Sequence, residues 1–255
     1  MKLYYIGTGA ADWTQEAGAR DGISRRFSCA VLDDHISIDL APTTPREYFA
    51  PSSPLGQVQY VLYTHSHNDH YDKDTLLALC KTRAVTVICD PDFGMRLPSH
   101  ENLTHISATP LREVKIGDYT ILPLRANHRV SQHPQEQPLH FIISKDGNNL
   151  FWGADGAWLY CDTWQALLKK GPFDRLVLDG TLGEGIGDWR IFEHNNLPMI
   201  RLMCATMRHK KVVKPTGQVW LTHLSRDAHE SPVTLPATLE QEDLHVAYDN
   251  LEDSF

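Results

Sequence analysis

Apolar and polar positions along the chain form short alternating or wholly apolar runs, broken by Gly, Pro, Asn and Asp, with fewer stretches of helical spacing. Lys2 to Ile6 reads as a strand, and Gly7-Thr8-Gly9-Ala10-Ala11 as a tight turn where backbone can approach a ligand. Asp12 to Arg26 is a polar loop whose Arg20, Arg25 and Arg26 form either a solvated face or an anion contact. Phe27–Leu32 and Ile36–Leu40 predict a hairpin across Asp33-Asp34. A Pro/Ser-rich connector, Arg46 to Gly56, with one helical turn, leads to a strand over Val58–Tyr63. Lys73–Cys80 predicts a helix and Val85–Cys89 a buried strand; Asp90 to His105 is looser, with a short helix, and His100 and His105 read as loop or surface residues.

Two further hairpins follow, Val114–Leu124 about Gly117-Asp118, and Leu139–Ser144 with Asn149–Trp152 about Asp146-Gly147-Asn148. Tyr160–Lys169 is helical in pattern and stops at Gly171-Pro172, before a strand at Leu176–Leu178. Gly183 to Asp188 is glycine-rich and reads as mobile, with Trp189 and Phe192 as packing anchors beside it. Glu193–His209 predicts a helix with Met199, Ile200, Met203 and Met207 on its core face. Gly217–Thr222 is a strand, Leu235–Gln241 a helix and His245–Tyr248 a final strand before an acidic tail. Hairpins in two batches with βα-like units between them favour two sheets with outer helices over one parallel sheet.

Composition narrows this picture. The 255 residues can bury one large core or two small ones, and no linker divides them, so 1–255 reads as one domain. A net charge of −8 argues against a nucleic-acid polymer as partner, while leaving room for a local contact with a small phosphate-containing substrate. The five cysteines (Cys29, Cys80, Cys89, Cys161, Cys204) are scattered singly, which fits reduced thiols in a cytoplasmic protein. The start Met1-Lys2-Leu3-Tyr4-Tyr5-Ile6-Gly7 holds no apolar leader, and no run approaches the length of a bilayer span, so no membrane partner is expected. A homodimer is open to such a chain.

The chemistry concentrates in His65-Ser66-His67-Asn68-Asp69-His70, directly after a predicted strand. Alternation in an extended segment sends His65 and His67 to one side, and a turn can swing Asp69 and His70 to a second position. Imidazoles suit zinc, and the carboxylate suits zinc, iron or manganese. Asp39, His128, Asp155 and His223 each stand just past a predicted strand, where side chains from different strands can converge. Asp39 reads either as a turn former or as a carboxylate that orients a ligand histidine.

With these residues in order, the chain resembles a metallo-β-lactamase-fold hydrolase, on the His-x-His-x-Asp-His signature at 65–70 and the strand-end partners. The resemblance covers essentially the whole chain and implies an αββα sandwich of the α/β class. It implies that His65, His67 and His128 bind one divalent ion, zinc or manganese, that Asp69, His70 and His223 bind a second, and that Asp155 bridges them. Two such ions about 3.5–4 Å apart support water attack on a phosphodiester, ester or amide. Gly7-Thr8-Gly9-Ala10-Ala11, Val246-Ala247-Tyr248-Asp249-Asn250, and Asp179-Gly180-Thr181 followed by His194 look like the PhnP-like branch of phosphoribosyl cyclic phosphodiesterases in phosphonate metabolism. That likeness implies a catalytic role for His194 at the leaving oxygen or a phosphate oxygen, alongside Asp69 and Asp155; Arg129 and Arg226 are the candidate phosphate contacts. The branch also carries a cysteine-bound structural zinc near the N-terminus. Asp12 to Arg26 contains no cysteine, so that second site is not expected and the substrate is less determined. Cyclic nucleotides, lactones and esters stay open as substrates, as does a metal-bound regulatory protein without turnover.

Overall fold

Two seven-stranded sheets, packed face to face and flanked by helices, make up a computed structural model that describes residues 1–185 and 187–255. In the first half of the chain run β1 (Lys2–Gly7), β2 (Cys29–Leu32), β3 (Ile36–Ile38), β4 (Tyr60–Leu62), α1 (Lys73–Cys80), β5 (Val85–Cys89), α2 (Pro91–Gly94) and β6 (Leu103–Ser107). The second half supplies β7 (Val114–Ile116), β8 (Tyr119–Arg125), β9 (Leu139–Lys145), β10 (Asn148–Gly153), α3 (Cys161–Lys170), β11 (Phe173–Asp179), α4 (Leu197–His209), β12 (Val213–Thr222), α5 (Leu235–Glu240), β13 (His245–Val246) and β14 (Leu251–Ser254). The sheet orders are β14-β1-β2-β3-β4-β5-β6 and β13-β12-β11-β10-β9-β8-β7. Each sheet is parallel on one side (β3 to β6, β10 to β13) and antiparallel on the other.

The αββα layering explains why the inner strands read as nearly unbroken apolar runs: both faces are covered. Along β10, Leu150 and Trp152 enter the core between the sheets, whereas Phe151 faces the helical side with Leu167, Ile200 and Met207. Val61 and Val87 likewise meet Leu76, Leu79 and Phe93 under α1 and α2, while Leu62 and Ile88 point between the sheets. Two of the three hairpin turns have positive φ at both central residues, Asp33 (48°) with Asp34 (61°) and Asp146 (50°) with Gly147 (80°), the geometry that suits the strand twist.

Helix α1 begins where predicted because Asp72 caps it, accepting from Thr75 N at 2.7 Å and from Thr75 Oγ1 at 2.6 Å. Asp72→Ala should cost about 1 kcal/mol in denaturant unfolding; an unchanged midpoint would contradict the cap's role.

The structure corrects four expectations. Leu103–Ser107 is strand β6, so His105 lies on a strand, though on its surface as expected; the strand was hidden because an exposed sheet edge carries polar residues. The acidic tail is strand β14, paired with β1, in which buried Leu251 and Asp253 alternate with exposed Glu252 and Ser254. Trp189 and Phe192 are not buried as packing anchors: they are 71% and 73% exposed, one 3-10 turn apart on the same face. The helix expected from Glu193 starts at Leu197, where Asn196 caps it by accepting from Met199 N at 2.9 Å. The stretch Gly183–Asp188, expected to be mobile, includes Ile186, which lies outside the described residues. Four cysteines are buried and Cys161 is exposed; no described helix is long and apolar enough to cross a membrane.

Candidate metal centre

The C-terminal ends of β3, β4, β8, β10, β11 and β12 open on one edge of the sandwich, where ligands gather in open α/β sheets. Asp39 follows β3, the His65–His70 segment follows β4, and His128, Asp155 and His223 follow β8, β10 and β12. Three of these residues turn the chain sharply with left-handed backbone: Asp39 (φ 60°), Asp155 (φ 55°) and His223 (φ 56°). Such a conformation costs a non-glycine residue about 1–3 kcal/mol and persists where surrounding contacts enforce it.

Three quartets of ligand atoms result, all containing Asp155; one joins it to Asp179, His194 and His223, and the other two are the expected ligand sets. In the first, His65 Nε2 lies 2.9 Å from His67 Nδ1 and 3.2 Å from Asp155 Oδ2, and His128 Nε2 lies 3.1 Å from His67 Nδ1. In the second, His70 Nε2 is 3.2 Å from Asp155 Oδ2 and 3.5 Å from Asp69 Oδ2, and His223 Nε2 is 3.3 Å from Asp69 Oδ2 and 3.6 Å from Asp155 Oδ2. Ligands around a tetrahedral ion with bonds of about 2.0–2.1 Å are separated by about 3.3 Å. The distances given for both quartets are close to the edge length of such a polyhedron. Among the described residues His70 Nε2 is buried without a hydrogen-bond partner, an arrangement that a cation resolves.

The outward nitrogen of four of these rings is hydrogen-bonded, which fixes the nitrogen that turns inward. His65 Nδ1–H donates to Thr64 Oγ1 (3.0 Å), His70 Nδ1–H to Asp39 Oδ2 (2.7 Å), His128 Nδ1–H to the Glu193 carbonyl (3.2 Å) and His223 Nδ1–H to Thr181 Oγ1 (2.7 Å). Partners of this kind fix tautomer and ring orientation in metal sites. Asp39 also accepts from Thr64 N at 2.8 Å, which locks the strand end itself. Burial, with the neighbouring His70, holds the pKa of His65 well below its ordinary value; burial and His128 bring His67 to about 4. Both rings are then neutral, the form that binds metal. Burial opposes the charge on Asp155, but His128, His223 and His194 outweigh it and keep the carboxyl ionised.

Asp39, Asp69, Asp155 and the five histidines of the signature and strand ends are thus brought together, and His194 joins them. Its Nδ1 lies 3.0 Å from Asp155 Oδ1 and donates to Asp179 Oδ2 at 3.1 Å. Burial works against the charge on His194, but Asp155 and Asp179 raise its pKa well above the ordinary value. A pocket of about 290 Å³ lies over the centre, lined by His67, Asp69, His128, Asp155, His194 and His223, with Asp12, Arg190, Glu193 and Ser225 completing its wall.

Neither expected phosphate contact reaches that wall. Arg129 is exposed, and Arg226 pairs with Asp227 (2.7 Å) and reaches the Gly18 carbonyl (3.4 Å). The loop arginines are also committed: Arg25 is buried against Thr8 Oγ1 and the Ala247 carbonyl, Arg26 binds the Ile6 carbonyl, and Arg20 binds the Glu230 carbonyl. The cation that does line the pocket is Arg190, held by Asp188 through Nε (3.0 Å) and Nη2 (2.6 Å). Its only sequence signal was the Asp-x-Arg spacing after a glycine-rich stretch. Asp179, which the sequence marks as part of a strand-end motif without a role, is fully buried and accepts from Gly156 N, Thr181 N, Thr181 Oγ1 and His194 Nδ1.

Comparison with known proteins gives a consistent picture. A model described as the beta-lactamase superfamily domain matches residues 34–223. A UPF0173 protein of Pyrococcus furiosus is 32% identical over 81 residues, 31% of this chain; the match spans only 37% of that protein's length. Zn(2+)-bound PqqB from Methylobacterium extorquens superposes with a TM-score of 0.77 at 14% identity, covering 100% of both chains. The metallo-beta-lactamase fold protein YhfI from Bacillus subtilis gives 0.71 at 15% identity, over 99% of this chain and 98% of its own.

Proposed function

The chain belongs to the beta-lactamase superfamily, with the metallo-β-lactamase sandwich and its hydrolase metal-site pattern, and we propose that it is a two-metal hydrolase of a small cyclic phosphodiester. Phosphoribosyl 1,2-cyclic phosphate is the leading substrate. The observation that carries this reading is the pair of ligand quartets joined through one carboxylate, with His194 poised against that carboxylate over the same pocket. Zinc suits the three-imidazole quartet, and the oxygen ligands of the other are compatible with manganese. Divalent ions bound there supply Lewis acidity at phosphoryl oxygens and a lowered pKa for an attacking water.

The chain's own groups account for the rest. Asp179 holds His194 by Nδ1, which leaves Nε2 for the pocket, where it protonates the leaving oxygen or binds a phosphate oxygen. Arg190, oriented by Asp188, takes the anionic part of the substrate. A pocket of about 290 Å³ sits at the small end of ligand sites, which supports a small molecule over a nucleic-acid polymer.

A second reading, hydrolysis of a neutral ester or lactone, is favoured by the pocket wall itself. Arg190 is the one Lys or Arg side chain lining it among the described residues, and it is already paired, while Asp12 and Glu193 add negative charge. Metal analysis with a panel of cyclic phosphates, phosphodiesters and lactones separates the readings. The expected result is two equivalents of metal and turnover of a cyclic phosphate, with His194→Ala lowering kcat about 10²-fold. Turnover of lactones alone would replace the first reading by the second, and metal binding with no turnover of any kind would leave a binding protein.

A further inference from the structure

We propose that Glu136, with Arg96, is a positioning residue for the three-histidine half of the centre, acting on Ser66 between two of the ligands. The inference rests on the reading of His65, His67 and His128 as ligands. Ser66 N donates to Glu136 Oε1 at 2.7 Å and Ser66 Oγ to Glu136 Oε2 at 2.5 Å. Arg96 Nη2 donates to the same Oε2 and to Ser66 Oγ (3.1 Å). The Glu136 side chain has no exposed surface. A carboxylate so buried is tolerated when its oxygens are fully paired, and here Ser66 and Arg96 provide the pairing. The carboxylate therefore holds Ser66 in one place, and the alternation of the extended segment transmits this to His65 and His67.

The connectivity makes the clamp specific to one quartet. His128 leaves the end of β8, and the loop that begins there returns at Glu136 to grip the segment carrying the other two histidines. Leu139 N, at the start of β9, then donates to the Thr64 carbonyl at 2.8 Å. Arg96 is fixed from below: it pairs with Asp92, donates to the Asp92 carbonyl at 3.0 Å, and stacks over Phe93 at 5.6 Å. The other quartet is supported by Asp39 behind His70 and Thr181 behind His223, neither of which bonds to Glu136, although Asp39 also holds Thr64 beside His65. Loosening Glu136 should thus weaken one site and spare its neighbour.

Zinc titrated into the metal-free full chain against a chromophoric chelator gives the two dissociation constants. Cobalt(II) absorption distinguishes the nitrogen-rich site from the carboxylate-rich one. In Glu136→Gln, one constant should weaken about 10–100-fold, with loss of the nitrogen-rich cobalt spectrum, while the other stays at its wild-type value. Ser66→Ala, which removes only the hydroxyl, should shift the same constant by less and serves if the first variant does not fold. Unchanged constants overturn the proposal. So does a parallel weakening of both sites with a lower melting temperature of the metal-free chain, which would make the network a support of the fold alone. A wild-type chain that binds no zinc removes the metal reading and this inference together; a normal wild type beside unaffected variants removes the inference alone.

Discussion

Asp155→Asn is expected to leave the fold intact, reduce metal content below two equivalents, and lower hydrolysis by at least about 10³-fold. The amide matches the carboxylate in size, so packing is preserved, but it supplies no second anionic oxygen. Asp155 Oδ2 lies 3.2 Å from both His65 Nε2 and His70 Nε2, so one group serves both quartets. Loss of one fixed electrostatic contact costs about 10²–10³ in turnover, and the bridging position adds the loss of an ion. Metal content by elemental analysis, circular dichroism and turnover of the best substrate from the panel check this together. Full activity with two metals would remove Asp155 from the centre.

The largest stability effect is expected at Arg175 and Asp253, far from the chemistry. Arg175 on β11 and Asp253 on β14 belong to opposite sheets and pair through two bonds, Nε to Oδ2 at 2.6 Å and Nη2 to Oδ1 at 2.9 Å. Both side chains are less than a tenth exposed, and Phe255 packs over the guanidinium at 4.9 Å. Asp253→Ala leaves a buried unpaired cation and should cost about 3–5 kcal/mol, with the melting temperature falling by about 10 °C. The double variant Arg175→Met, Asp253→Leu should recover most of that loss, because an apolar pair of similar volume carries no desolvation penalty. If the single variant melts within a degree of the wild type, the pair contributes nothing and the sheets are held by the core alone.

Elements with both faces buried were legible in the sequence, because burial writes itself as apolar runs: α1 and β5 fall at their predicted bounds. Elements at the sheet edges were not. In β6, four of five residues are exposed, and in β14 three of four residues are acidic or polar, so neither carries a hydrophobic signal. The site divides along the same line. His65 to His70 are contiguous, and Asp39, His128, Asp155 and His223 each end a strand, so local pattern located them. Arg129 and Arg226 were misplaced because they neighbour ligands in sequence, and adjacency says nothing about which way a strand-end side chain leaves the backbone. Glu136 and Arg190 were out of reach, and Asp179 was legible only as part of a motif, since their roles come from what the folded loops and strands bring beside them.

The sequence by itself thus determined the donor chemistry, three histidines and a carboxylate within one turn of chain, and the strand ends from which their partners come. Only the tertiary structure decided which nitrogen of each ring turns inward, that one carboxylate stands between two sets of ligands, and that Arg190 is the cation facing the pocket. The physical reason is range. Alternation and apolar runs are local consequences of burial, whereas ligand geometry depends on left-handed turns at Asp39, Asp155 and His223. It depends equally on hydrogen bonds such as Asp39 to His70 and Glu136 to Ser66, which exist only once the sheets and their loops have closed on each other.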